Sequence, residues 1–293
     1  LAQATHAPTW HFPLQAAGTA AQRTLWGYMG SCTDWPTSSA DYGFMAFTAG
    51  SNPTFADLLV DAVHTMSPNG GDGLYDAVHY VKEENMLKVT HYQFSTDGKW
   101  HSTIVPTLVS DPTLIATETA SSRATGKVYG QFYNNALSGF EFGVIDYDAM
   151  ERTTIAESQH KYVALGVTSY EAVYGVATDG NLYRIDTETG EERLVGSTGV
   201  SVAESSHQSY GQSGEIDQDD DVFYWACIDK DKHAALYTVD LASGAATLIA
   251  DMPHNEQILG MGIPDATPPA AAPAAVADFR IAFDGGSTSG TVS

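Results

Sequence analysis

Short alternations of apolar and polar residues, broken by tight turns, run along most of the chain and predict strands rather than helices. The pattern is sharpest over Glu171 to Gly196, EAVYGVATDGNLYRIDTETGEERLVG. Ala172 to Val176 is a β-branched and aromatic run that suits a pleated, half-buried surface. Asp179-Gly180 tolerates positive φ, as a two-residue hairpin turn requires. Asn181 to Asp186 alternates with period two. Thr187-Glu188-Thr189-Gly190 then makes the next turn, with Gly190 at the left-handed position. Leu182, Ile185, Leu194 and Val195 are the expected core contributors. A three-stranded unit this small cannot bury its apolar face alone and has to stack on others.

The unit recurs. Val173-Tyr174-Gly175 has counterparts in Val128-Tyr129-Gly130, Val222-Phe223, Leu74-Tyr75 and Leu25-Trp26, which places an aromatic at 26, 75, 129, 174 and 223. The later turn repeats in Ile145-Asp146, in Ile185-Asp186 through Gly190, and in Val239-Asp240 through Gly244. A period near 45 to 50 residues with about four strands is the signature of a β-propeller. The chain is therefore read as all-β, with a propeller over 1–264 and five blades at about 25–61, 62–105, 113–156, 161–196 and 207–250. Six blades result if residues 1–24 or 61–70 contribute more. A lone apolar run at 257–263 follows the fifth unit, while the first unit lacks a preceding inner strand. The run is expected to join blade one and close the ring, which removes open edges.

Residues 265–275, DATPPAAAPAA, form a stiff Pro/Ala linker. Val276 to Phe283 alternates as a strand, Asp284-Gly285-Gly286 turns it, and Thr291-Val292 begins another. Residues 276–293 resemble the truncated start of a fibronectin type III module, far short of the ~100 residues of a sandwich. Either the chain is a fragment of a longer one or this tail packs on the propeller.

Together, the Val-Tyr-Gly and Ile-Asp-Thr-x-Thr-Gly motifs and the Pro-Ala-Ala-Val-Ala-Asp-Phe-Arg-Ile lead-in resemble secreted proteins of Bacteroidetes-type bacteria, in which a degenerate propeller precedes fibronectin III-like modules. The resemblance covers residues 25–293 and implies a surface-associated protein. It carries over no catalytic residue.

Lys and Arg total 13 against 36 Asp and Glu, a net charge of −23. No basic footprint exists for nucleic acid or anionic lipid. No run approaches the ~18–20 apolar residues of a membrane span, so membrane insertion is not expected. Leu1 to Pro8 looks like the remainder of a removed export signal, which predicts an extracellular, periplasmic or cell-surface location. Cys32 and Cys227 fall in the first and fifth units, neighbours in a closed ring. They are either two separate buried thiols or a disulfide.

Candidate chemistry is sparse. Asp217, Asp219 and Asp221 form a D-x-D-x-D run that could ligate Ca2+, the one cofactor considered. The pattern departs from a calcium loop at Val222 and Ile228, and the alternative is an acidic hairpin. Ser95 to Trp100 reads as a turn, and His64, His79, His91 and His101 scatter by strand alternation. No nucleophile elbow, phosphate loop or HExxH occurs. Trp35, Tyr42, Tyr133, Tyr170, His207 and Tyr210 are the candidate ligand-binding residues, because Tyr and Trp serve both sugar faces and protein hot spots. The alternative is that they pack between blades. The expected function is a non-catalytic extracellular module for a glycan or surface-protein partner. The competing reading is a carbohydrate-active hydrolase or lyase with its site at the channel mouth.

Overall fold

The computed structural model describes residues 23–30, 43–50, 56–57, 67–68, 74–81, 86–94, 100–102, 107–109, 116–134, 136–146, 149, 151–203, 212–263, 281–283 and 290–292. Among them the strands form five larger antiparallel sheets and one two-stranded ribbon. The first sheet contains β1 (Thr24–Gly30), β2 (Gly43–Thr48) and β3 (Ala56–Asp57). The second contains β4 (Ser67–Pro68), β5 (Leu74–Val81), β6 (Met86–Phe94), β7 (Trp100–Ser102) and β8 (Thr107–Val109). The third is β9 (Ala116–Ser121), β10 (Val128–Asn134), β11 (Gly139–Asp146) and β12 (Glu151–Ser158). The fourth is β13 (Tyr162–Val167), β14 (Val173–Ala177), β15 (Asn181–Ile185) and β16 (Glu192–Ser197). The fifth is β17 (Ser213–Asp217), β18 (Val222–Ile228), β19 (Ala234–Val239) and β20 (Ala246–Asp251).

β21 (Gln257–Gly262) returns to pair antiparallel with β1, so the first sheet has the order β21-β1-β2-β3. The leading strands β4, β9, β13, β17 and β21 neighbour one another in that sequence, and β21 neighbours β4. The sheets thus surround one axis, and the fold is a β-propeller. The ribbon pairs β22 (Ile281–Phe283) with β23 (Gly290–Val292). Among the described residues no helix is long and apolar enough to cross a membrane.

The aromatic of each repeat lies on the second strand of its sheet: Trp26 on β1, Tyr75 on β5, Tyr129 on β10, Tyr174 on β14 and Phe223 on β18. Tyr129, Tyr174 and Phe223 are buried, and they pack between sheets rather than within them. Tyr129 and Phe142 of the third sheet meet Tyr162, Leu165 and Ile185 of the fourth. Val163 and Leu182 of the fourth meet Ile216, Phe223 and Trp225 of the fifth. Tyr224 and Leu236 of the fifth meet Leu25, Phe47, Ile258 and Met261 of the first. Each fully buried large side chain contributes about 1.5–3 kcal/mol relative to exposure. The hydrophobic effect therefore holds these three seams.

The Asp-x-x-Thr/Ser-Gly turn has a local cause. Asp186 Oδ1 accepts from the Glu188 and Thr189 amides and from Thr189 Oγ1, and Gly190 N donates to Asp186 O. Asp240 makes the same set with Ala242, Ser243 and Gly244. Gly190 and Gly244 take φ of +70° and +81°, values that side chains disfavour.

Two details differ from the sequence reading. Leu194, expected in the core, is 62% exposed. A register shift opposite Leu182 and Tyr183 leaves Val195 between the two paired residues, and this bulge turns Leu194 outward. In the second sheet the outer strand is split: β7 pairs the end of β6 and β8 pairs its start. The sequence between them carries Pro106, which has no N–H for a ladder. Cys227 is a free, buried thiol, and burial pushes its pKa well up. Cys32 lies outside the described residues.

Candidate functional site

Strand direction gives the propeller two distinct ends. The first strands of the third, fourth and fifth sheets run toward hairpins at 121–128, 167–173 and 217–222. The second strands return to turns at 134–139, 177–181 and 228–234.

The hairpin end is tied to itself. Arg23, just before β1, places Nε 2.6 Å from Asp217 Oδ2 and Nη2 2.7 Å from Asp219 Oδ2. Arg123 donates to Asp219 across 2.6 Å. Gln218 spans from the fifth sheet to the third: its Nε2 donates to Ser121 O, and its Oε1 accepts from Arg123 N. Asp221 accepts from the amide and hydroxyl of Ser169. Glu171, at φ +64°, accepts from Ser122 and Thr125 of the third sheet. Burial raises the Asp217 pKa, opposed by the Asp219 amide and Arg23.

Beneath this layer the axis is polar. Met261 N donates to Ser213 Oγ at 3.0 Å, and Ser213 Oγ donates to Glu118 Oε1 at 3.1 Å. One hydroxyl thus joins the first, fifth and third sheets. Glu118 and Glu215 are both buried, and burial pushes each carboxyl well above its ordinary range. Glu215 also raises the cost of ionising Glu118, and Asp217 that of ionising Glu215.

At the turn end, the third-sheet hairpin presents apolar surface, beside the charged turns that carry Asp179 and Asp229 to Lys232. Tyr133, at the end of β10, is 40% exposed, and Leu137 in the following turn is 50% exposed. Phe140 meets Tyr133 edge-on, with ring centroids 5.4 Å apart, and Lys161 Nζ lies 5.9 Å from the Phe140 ring. Edge-to-face contact of this kind fixes ring orientation before any ligand arrives. In the seam of the third and fourth sheets, His160 Nδ1 lies 2.5 Å from Glu192. The His160 ring stacks on Tyr183 at 4.0 Å, and Tyr183 OH donates to Asp179. Burial opposes ionisation of Asp179, but hydrogen bonds from Tyr183 and Asn181 outweigh it and hold the carboxyl below its usual range.

The sequence-derived residues therefore separate. Tyr133 sits at the turn end, and Tyr170, 57% exposed, sits in the hairpin at the other end. Asp217 and Asp219 share Arg23, whereas Asp221 faces Ser169. Trp35, Tyr42, His207 and Tyr210 lie outside the described residues. Sequence reasoning missed Leu137 and Phe140 beside Tyr133, and it missed the axial Glu118, Ser213 and Glu215. The available signal was an acid inside each of two leading strands, ATETAS and SGEID.

No protein-family model matches the chain, and no curated protein matches it in sequence. Among solved structures, the chain is similar to one from a nidogen/laminin complex, at 10% identity and TM-score 0.48, covering 82% of this chain and 97% of that one. It is similar to a protein of unknown function from Bacteroides thetaiotaomicron, at 12% identity and TM-score 0.44, covering 77% and 64%. It is also similar to TolB from Acinetobacter baumannii, at 12% identity and TM-score 0.43, covering 78% and 53%.

Proposed function

We propose that this propeller is a non-catalytic binding module that works outside the cytoplasm and engages a glycan or a surface protein through its turn end. The observation that carries the reading is the exposed Tyr133 and Leu137, backed edge-on by Phe140 on the same hairpin. A rigid aromatic with one open face suits either a sugar ring or a protein hot spot, and it loses little conformational entropy on binding. The hairpin end is a poorer candidate, because its charged side chains already satisfy one another.

The hydrolase reading needs two carboxylates that a substrate can reach. Glu118 and Glu215 are the paired acids of the axis, and both are buried below the Gln218 bridge. A turnover assay on a broad panel of polysaccharides and oligosaccharides tests the non-catalytic part. The expected result is no product above the no-protein control. Cleavage that Glu118→Gln or Glu215→Gln abolishes, with the fold retained, would replace the binding module with an enzyme.

A further inference from the structure

We propose that Glu118 is a proton-held pin of the propeller axis, and that its ionisation loosens the join between the first, third and fifth sheets. Glu118 lies on the leading strand β9 and is 7% exposed. Its one hydrogen-bonded partner across the axis is Ser213 Oγ at 3.1 Å, and the same oxygen takes the Met261 amide at 3.0 Å. The serine has a single proton to give, so a Glu118 carboxylate would hold a full charge in the axis against two neutral donors, Ser213 Oγ and the Thr119 amide. An ionised carboxyl needs several donors or a cation to offset its desolvation.

Among the described residues, the charged surroundings do not supply that compensation. On β17 the facing group is Glu215, a second buried acid whose Oε2 has no hydrogen-bond partner among the described residues. Asp217, further along β17, acts on Glu215 and is itself committed to Arg23. Arg123, whose charge favours an ionised Glu215, is committed to Asp219. Tyr224, paired opposite Glu215, is pushed up to about 12 by burial and stays neutral. β10 places Gln131 opposite Glu118, and β4 (Ser67–Pro68) and β21 (Gln257–Gly262) carry no titratable residue. On β13 the one titratable residue is Tyr162, which interacts with Glu192. Burial therefore dominates, and the carboxyl is held above its ordinary range.

A group raised in this way stabilises the fold fully below its unfolded-state pKa, and the contribution is lost as pH rises through the folded value. Glu118→Gln keeps an oxygen for Ser213 and cannot ionise. Thermal melts of wild type and Glu118→Gln at pH 3.5, below the unfolded-state pKa, and at pH 8.5 test the proposal. The expected result is equal melting at pH 3.5 and a variant that melts about 3 °C or more above wild type at pH 8.5. A difference of the same size and sign at both values overturns it. A second measurement does not depend on that variant folding. In a Glu215→Gln background, the infrared band of a protonated buried carboxyl should be present at neutral pH and fade on alkalinisation. Its absence at neutral pH overturns the proposal.

Discussion

Replacing Gly190 by alanine tests whether the turns of one sheet seat against the outer strand of the next. Gly190 sits at φ +70°, and a Cβ there would stand 2.4 Å from Ala156 Cβ on β12. Left-handed backbone costs a non-glycine residue about 1–2 kcal/mol. Overpacking against a neighbour that cannot retreat adds roughly 1–3 kcal/mol. Gly190→Ala should therefore lose about 2–5 kcal/mol, a melting point ~5–15 °C lower. Gly199→Ala is the control, because Gly199 has φ +76° and nothing within 4 Å of its would-be Cβ. It should show the backbone cost alone, and any gain from a stiffer unfolded chain is common to both variants. Adding Ala156→Gly to Gly190→Ala should recover the clash, about 1–3 kcal/mol of coupling in a double-mutant cycle. Equal losses in the two alanine variants, with no recovery, would refute the seating of turn 186–190 on the third sheet.

Three further outcomes follow from the same geometry. Asp240 is held below the ordinary carboxylate range, chiefly by its hydrogen bond from Ser243, so its contribution is present above that range and lost as pH falls through the folded value. Asp240→Ala should melt roughly 2–4 °C below wild type at pH 7 and match it near pH 2, by calorimetry; a deficit unchanged with pH would contradict this. Arg23→Ala leaves the buried Asp217 without its guanidinium and should cost about 3 kcal/mol in urea unfolding, whereas Arg193→Ala, whose partner Glu191 is exposed, should leave the urea midpoint nearly unchanged. Because Asp217 and Asp219 are already paired with arginines, chelation should leave the melting point unchanged; a drop on chelation, restored by millimolar Ca2+, would make them calcium ligands.

Local chemistry made much of this fold readable. The Asp186 and Asp240 turns are written in five consecutive residues, so spacing alone locates them. The Val-Tyr-Gly aromatics Tyr129, Tyr174 and Phe223 mark second strands, because each packs in the core between its own sheet and a neighbouring one. The bulge that turns Leu194 outward is marked only by the adjacent apolar pair Leu194-Val195, which a period of two cannot place on one face and which does not say which of the two turns inward. The axial network was hidden for a different reason. Glu118 and Ser213 are 95 residues apart, and Arg23 and Asp217 are 194 apart. Only closing the sheets around an axis brings them together. Read without those arginines, Asp217 to Asp221 looks like a cation loop. Tyr133 was visible as an aromatic at a strand end, but its partner Phe140 becomes a neighbour only through the β10–β11 register.

The most direct test of the account is a binding titration of wild type and Tyr133→Ala against immobilised glycans of varied class and against purified extracellular-matrix and bacterial surface proteins. The account predicts saturable binding to one class, weakened at least ~10-fold by Tyr133→Ala and unchanged by Tyr170→Ala at the opposite end. Binding that survives Tyr133→Ala intact, or that only Tyr170→Ala abolishes, would contradict the assignment of the turn end as the binding surface.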